Sequence, residues 1–205
     1  MYSLKRSIKV FIMGQTWLLI LLAILAVNFN YWIKPQNSLI GLIGFTEIFI
    51  ILLALLSGIR TKKQLPLKRE NPYSFKGLLK SFWATIPLVV FFSFSMWNIS
   101  PDNGVPFPSG LLAGYLIING VFAFASLFAP NYIIAIYLSN VYDEKNSSYL
   151  SEGYRHLASF FWSLNAEVQI LLRGLPFVIQ RLMNLVFIVV IILFFGLTLL
   201  LFDAL

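Results

Sequence analysis

The sequence predicts an all-α integral membrane protein of six transmembrane helices, with five as the alternative. The helices are expected to form three hairpins with amphipathic cytoplasmic lead-in helices. Three observations predict this class. Of 205 residues, 59% are hydrophobic and only 11% charged, where a soluble domain carries roughly a quarter charged residues. Mean hydropathy is +0.83. The apolar residues fall in runs of about 20, the length needed to cross a ~30 Å hydrocarbon core as helix. So little charge leaves too little polar surface to coat a water-soluble globule.

The net charge of +7 does not point to nucleic acid, because its positions are those of membrane anchors. Lys5, Arg6 and Lys9 precede the first apolar run, and Arg60, Lys62, Lys63, Lys68, Arg69, Lys76 and Lys80 follow the second. Basic residues at span ends read as cytoplasmic anchors against anionic lipid. No basic stretch belongs to a readable nucleic-acid motif. Cysteine is absent, which excludes disulfides, thiol catalysis, Cys-ligated zinc and iron–sulfur clusters. The basic start followed by residues 17–27 resembles a signal peptide. No small-x-small cleavage site follows, so it reads as an uncleaved first helix.

The first span covers about 12–32 and ends in Tyr31 and Trp32, aromatics suited to the interface. Pro35 marks a turn into the second, 39–59. The basic 60–74 loop carries Pro66 and Pro72 and belongs in water. The third span is 81–99, and the Pro- and Gly-rich 101–110 fits a tight external loop. The fourth apolar stretch, 111–138, exceeds one crossing and contains Pro130-Asn131, which predicts a kink. Residues 157–172 are interrupted by Asn165, Glu167 and Gln169, giving either a short polar fifth span or an interfacial amphipathic helix. Residues 182–202 are plainly a span.

With the N-terminus cytoplasmic, the N-terminal segment, residues 60–80 and residues 141–156 hold 12 of the 15 basic residues. Only Lys34 is clearly outside. Charge alone mildly favours five spans, since six put Arg173 near the outer face. An internal repeat points to six. Residues 2–12 and 73–83 share Tyr, Ser, both Lys and Phe, five of eleven positions. A weaker copy at 154–162 matches in Leu157, Phe161 and Trp162. Each copy places apolar residues at i, i+4, i+7 and i+8, one helical stripe. The chain then reads as one polytopic domain, 1–205, with repeats 2–70, 73–150 and 154–205. Lys5, Lys9, Lys76, Lys80, Trp83 and Trp162 would be its membrane-surface anchors. The competing explanation is convergence, since any cytoplasmic helix start favours Lys and aromatics.

Phe75-Lys76 with Lys80-Ser81-Phe82-Trp83 before a span, then Pro130-Asn131-Tyr132 and the run from Gly153 to Trp162, resemble two groups of bacterial membrane proteins. These are the YesL-like family and the membrane domain of some glycerophosphodiester phosphodiesterases. The resemblance covers about 130 residues from Pro72 onward. It implies a small polytopic helical protein. Those families carry no agreed active site, so it transfers no functional residue.

No catalytic set is legible. His156 stands alone with no carboxylate pair nearby, and no phosphate loop, HExxH, nucleophile elbow or Walker motif occurs. Neither a metal nor a cofactor is expected. The sharper signals are ionisable groups at membrane depth. Glu47 lies near the centre of the second span, where a carboxylate costs about 2.5 kcal/mol or more unless protonated, paired or facing water. Glu167 would lie similarly deep if the fifth span exists. Arg173 and Arg181 flank the turn into the last helix, within reach of a carboxylate. Asn131 beside Pro130 is a further intramembrane polar candidate. These residues form either a polar site for a proton, ion or head group, or hydrogen-bonded packing between helices. Gly110-x-x-x-Gly114 offers a close-packing surface, for another helix or another copy.

The expectation is a non-catalytic membrane component, an accessory or modulatory subunit of a transport or envelope system in the plasma membrane. Its partners would be the bilayer and another membrane protein or a second copy. The alternatives are a small transporter or ABC-type permease subunit paired with a separate ATPase, and a membrane lipid enzyme.

Overall fold

The computed structural model describes residues 2–33, 35–59, 105–142 and 149–202. The expected third span, the 60–80 basic segment and the second repeat copy, with Lys76, Lys80 and Trp83, lie outside these. The described residues are helical and contain no strand. Four helices are long and apolar enough to cross a membrane: α1 (Leu4–Ala26), α2 (Pro35–Gly58), α3 (Ser109–Phe128) and, at the C-terminal end, α7 (Phe177–Leu201). Between the last two lie α4 (Pro130–Tyr142), α5 (Tyr149–Phe161) and α6 (Ser163–Leu172).

α1 and α2 form an antiparallel hairpin through the short 3-10 turn Phe29–Tyr31. Its seam is set by small residues. A Cβ on Gly14 would come within 2.7 Å of the Ile50 side chain, so only a glycine lets the helices approach this closely. Ser7 Oγ donates to the Ala54 carbonyl at 2.6 Å, and Ser3 N–H donates to the Gly58 carbonyl at 3.0 Å. Gly44, by contrast, has open space where a side chain would stand. Gly14→Ala should therefore lower the detergent melting midpoint relative to Gly44→Ala, by the equivalent of about 1 kcal/mol. Equal midpoints would show that Ile50 yields without cost.

α7 runs antiparallel to α2, with the Phe49 and Phe187 rings stacked at 5.4 Å. It also runs antiparallel to α3, since Arg181 reaches Ser126 while a Cβ on Gly120 would meet Ile191. α1 meets α3 at the other end, where Asn28 Nδ2 donates to Ser109 Oγ at 2.9 Å. The bundle thus has a near end, holding the start of α1, the ends of α2 and α3 and the start of α7. Its far end holds the start of α3 and the end of α7, where Ile33 N–H donates to the Leu201 carbonyl at 2.8 Å.

Several expectations change. The 111–138 stretch is not one kinked helix. α3 stops at Phe128, Ala129 leaves helical geometry at φ −134°, ψ 61°, and Pro130 opens α4. Proline has no N–H and its ring clashes with the carbonyl four residues back, while the first helical position tolerates it. Residues 157–172 are not a span either: they divide at Trp162 between the 13-residue α5 and the 10-residue α6. The described residues therefore hold four candidate spans, and the chain between α3 and α7 leaves and returns at the same end. Six spans as three hairpins do not emerge. No separate lead-in helix precedes the first span, because residues 4–26 form one continuous helix.

Candidate functional site: a buried amide cluster and a half-exposed carboxylate

α3, α6 and α7 meet around side-chain amides that are fully or almost fully buried: Asn119, Asn165, Gln169 and Asn184. Asn119 explains the break at Trp162. In an uninterrupted helix the N–H of residue 165 would donate to the carbonyl of residue 161. Here Asn119 stands between them. Its Nδ2 donates to the Phe161 carbonyl at 2.6 Å, and its Oδ1 accepts from the Asn165 N–H at 2.9 Å. A side chain inserted into the i→i−4 ladder bends a helix, and here it turns one helix into two.

The cluster continues from there. Asn165 Nδ2 donates to Ser126 Oγ at 3.3 Å. Gln169 Nε2 donates to Asn184 Oδ1 at 2.6 Å and to Asn165 Oδ1 at 3.3 Å, and Asn184 Nδ2 donates to the Ala123 carbonyl at 3.1 Å. Every donor of Gln169 is used, while its Oε1 is buried without a donor. At the near end Arg181 donates to the Ser126 carbonyl at 3.1 Å, with its guanidinium 5.0 Å from the Phe177 ring centre. A cation over the last carbonyls of α3 complements that helix's dipole. Arg181 therefore caps a helix, where the sequence suggested it would seek a carboxylate.

Glu47 is half-buried, on the α1–α2 seam midway along both helices. Gln15 Nε2 donates to its Oε2 at 2.6 Å, and its Oε1 accepts no bond among the described residues. Glu167 is half-buried in the wall of a largely apolar cavity of about 90 Å³ between α1, α2, α3, α6 and α7. Glu47 and Glu167 thus occupy separate places. Arg173 is half-buried where α6 ends, its N–H donating to the Gln169 carbonyl at 2.9 Å. Asn131 is exposed on the first turn of α4, outside the cluster.

Gly110 and Gly114 are buried within the chain. A Cβ on Gly110 would lie 2.9 Å from the Val105 carbonyl, so this pair packs α3 inward and offers no surface to another copy. Trp162 is half-buried, its ring 4.6 Å from Phe122 and 6.2 Å from Tyr154. Lys5 and Lys9 are exposed at the start of α1.

Asn119, Asn184, Ser126 and Gln15 are neutral, so charge at membrane depth does not reveal them in the sequence. The available signal was an amide inside an apolar run: Asn119 between Ile118 and Gly120, and Asn184 between Met183 and Leu185. Among the described residues, no group of three or more His, Asp or Glu is placed to hold a metal ion. No family model matches the chain, and no curated protein and no solved structure matches it.

Proposed function

We propose that the chain is a non-catalytic, multi-pass membrane component, an accessory or modulatory subunit of a transport or envelope system. One observation carries this reading. The Glu47–Gln15 pair sets a carboxylate at mid-depth on an outer face whose other exposed side chains include Ile8, Ile12 and Leu19 on α1 and Ile40, Ile48 and Ile51 on α2, with Thr16 satisfied by donating to the Ile12 carbonyl. Lipid tails offer no hydrogen bond to a carboxylate, so a protein surface is the natural cover. A photo-crosslinker at Ile51 in intact cells should join the chain to one defined membrane polypeptide. Crosslinks to lipid alone would sink the reading.

The same proposal puts the protein in the plasma membrane with the near end cytoplasmic, supported by Lys5, Arg6 and Lys9 at the start of α1. It counts five spans. α2 ends at the near end and α3 begins at the far end, and the apolar run of residues 81–99 is long enough to supply the crossing. The C-terminus is then external. Cysteine at exposed Asn30 should label with an impermeant thiol reagent, cysteine at Val178 should not, and a reporter fused after Leu205 should read outside. A cytoplasmic reporter would overturn the five-span count.

A second reading, a small transport protein, is favoured by the cavity with Glu167 in its wall. Loss of a transport activity in Glu167→Gln at normal expression would select it.

A further inference from the structure

We infer that the partner covering the α1–α2 seam is a transmembrane helix with a basic side chain at mid-membrane, which pairs with Glu47. This rests on the subunit reading above and adds the chemistry of the contact. Glu47 is the only acidic residue in the four candidate spans, and their basic residues, Lys5, Arg6, Lys9 and Arg181, all lie near span ends. The chain's described spans therefore bring no cation to that depth. Gln15 supplies one neutral hydrogen bond, to Oε2, and Oε1 accepts none among the described residues.

The seam is also shaped for a helix. Ile40, Gly44, Glu47 and Ile51 follow at i, i+4, i+7 and i+11, one stripe of α2. Gly44 leaves open space one turn from the carboxylate, which lets a facing backbone approach. A second copy of this chain would bring another carboxylate rather than a cation. Charge complementarity thus favours a different chain. An ion pair at this depth offsets desolvation that neither partner escapes alone.

The test uses purified full-length chain in phosphatidylcholine–phosphatidylglycerol vesicles. The probe is a synthetic oligoleucine helix of about 20 residues with one central lysine, matched to the bilayer thickness. Energy transfer between labelled chain and peptide should show association about tenfold tighter than for the same peptide with central leucine. Glu47→Gln, which keeps shape and the Gln15 contact, should erase most of that preference, and Glu47→Leu all of it. Equal association of the two peptides would overturn the proposal, as would a lysine preference that survives Glu47→Gln. Glu47-dependent self-association of the chain would overturn it in favour of a second copy. Should the lysine preference be absent while the Ile51 crosslink persists, the subunit reading stands and only the ionic contact falls. Absence of both removes both.

Discussion

Replacing Asn119 with leucine should cost about 2–4 kcal/mol, the sum expected for stranding a buried backbone donor and a buried acceptor. Its side chain serves two backbone groups that the break at Trp162 releases, the Asn165 N–H and the Phe161 carbonyl. Leucine fills similar volume and serves neither. Asn119→Asp is the informative companion: it still accepts from Asn165, but when ionised it buries a charge and sets an oxygen against the Phe161 carbonyl, so it should destabilise at least as much as Asn119→Leu. Thermal unfolding in a mild detergent, read by tryptophan fluorescence, measures both. The competing outcome is specific: with the wedge gone, the Asn165 N–H could close onto the Phe161 carbonyl and fuse α5 with α6. Asn119→Leu would then match or exceed the parent in stability, and Asn119 would be the cause of a bend rather than a support.

Asn119 also marks where the sequence stopped being legible. The class and the long apolar helices follow from run length and charge, which need no knowledge of neighbours. The break at 162 does not. Residues 149–172 contain neither an internal proline nor a helix-ending pair of turn residues; what divides them is an amide on α3, 42 and 46 positions before the two residues it bonds. Pro130 could be read, because proline's effect is local, although sequence alone predicted a kink where the helix ends. The repeat favoured six spans because its third copy contains a helix start. That copy lies in α5, which packs along α4 and α6 instead of leading into a crossing. Glu47 sits at the α1–α2 seam with Gln15 as its partner, a neutral residue that a search for charge at depth does not reveal.

The second large effect is expected at Gln169, where the cluster is densest. Its Nε2 serves both Asn184 Oδ1 and Asn165 Oδ1, so Gln169→Leu leaves two buried acceptors without that donor. It also removes an orphan, since Oε1 has no partner. The two acceptors outweigh the single relief, and the net loss should be about 2 kcal/mol. Asn184→Leu removes one of those acceptors and strands one Gln169 hydrogen, for a smaller loss. Combining the two takes a donor from Asn165 Oδ1 and from the Ala123 carbonyl but strands nothing along the Gln169–Asn184 contact, because the apolar pair replaces both ends of that 2.6 Å bond. Gln169→Leu with Asn184→Leu should therefore cost less than the sum of the singles, with a coupling of about 0.6–1.7 kcal/mol, the range for hydrogen bonds between membrane helices. The four proteins form a double-mutant cycle measured by reversible unfolding in detergent–lipid mixtures. Strict additivity would mean that the 2.6 Å contact contributes nothing beyond packing. A double variant more stable than the parent would show that α3, α6 and α7 hold together by their apolar surfaces alone, with the amides serving only to fix how the three helices register.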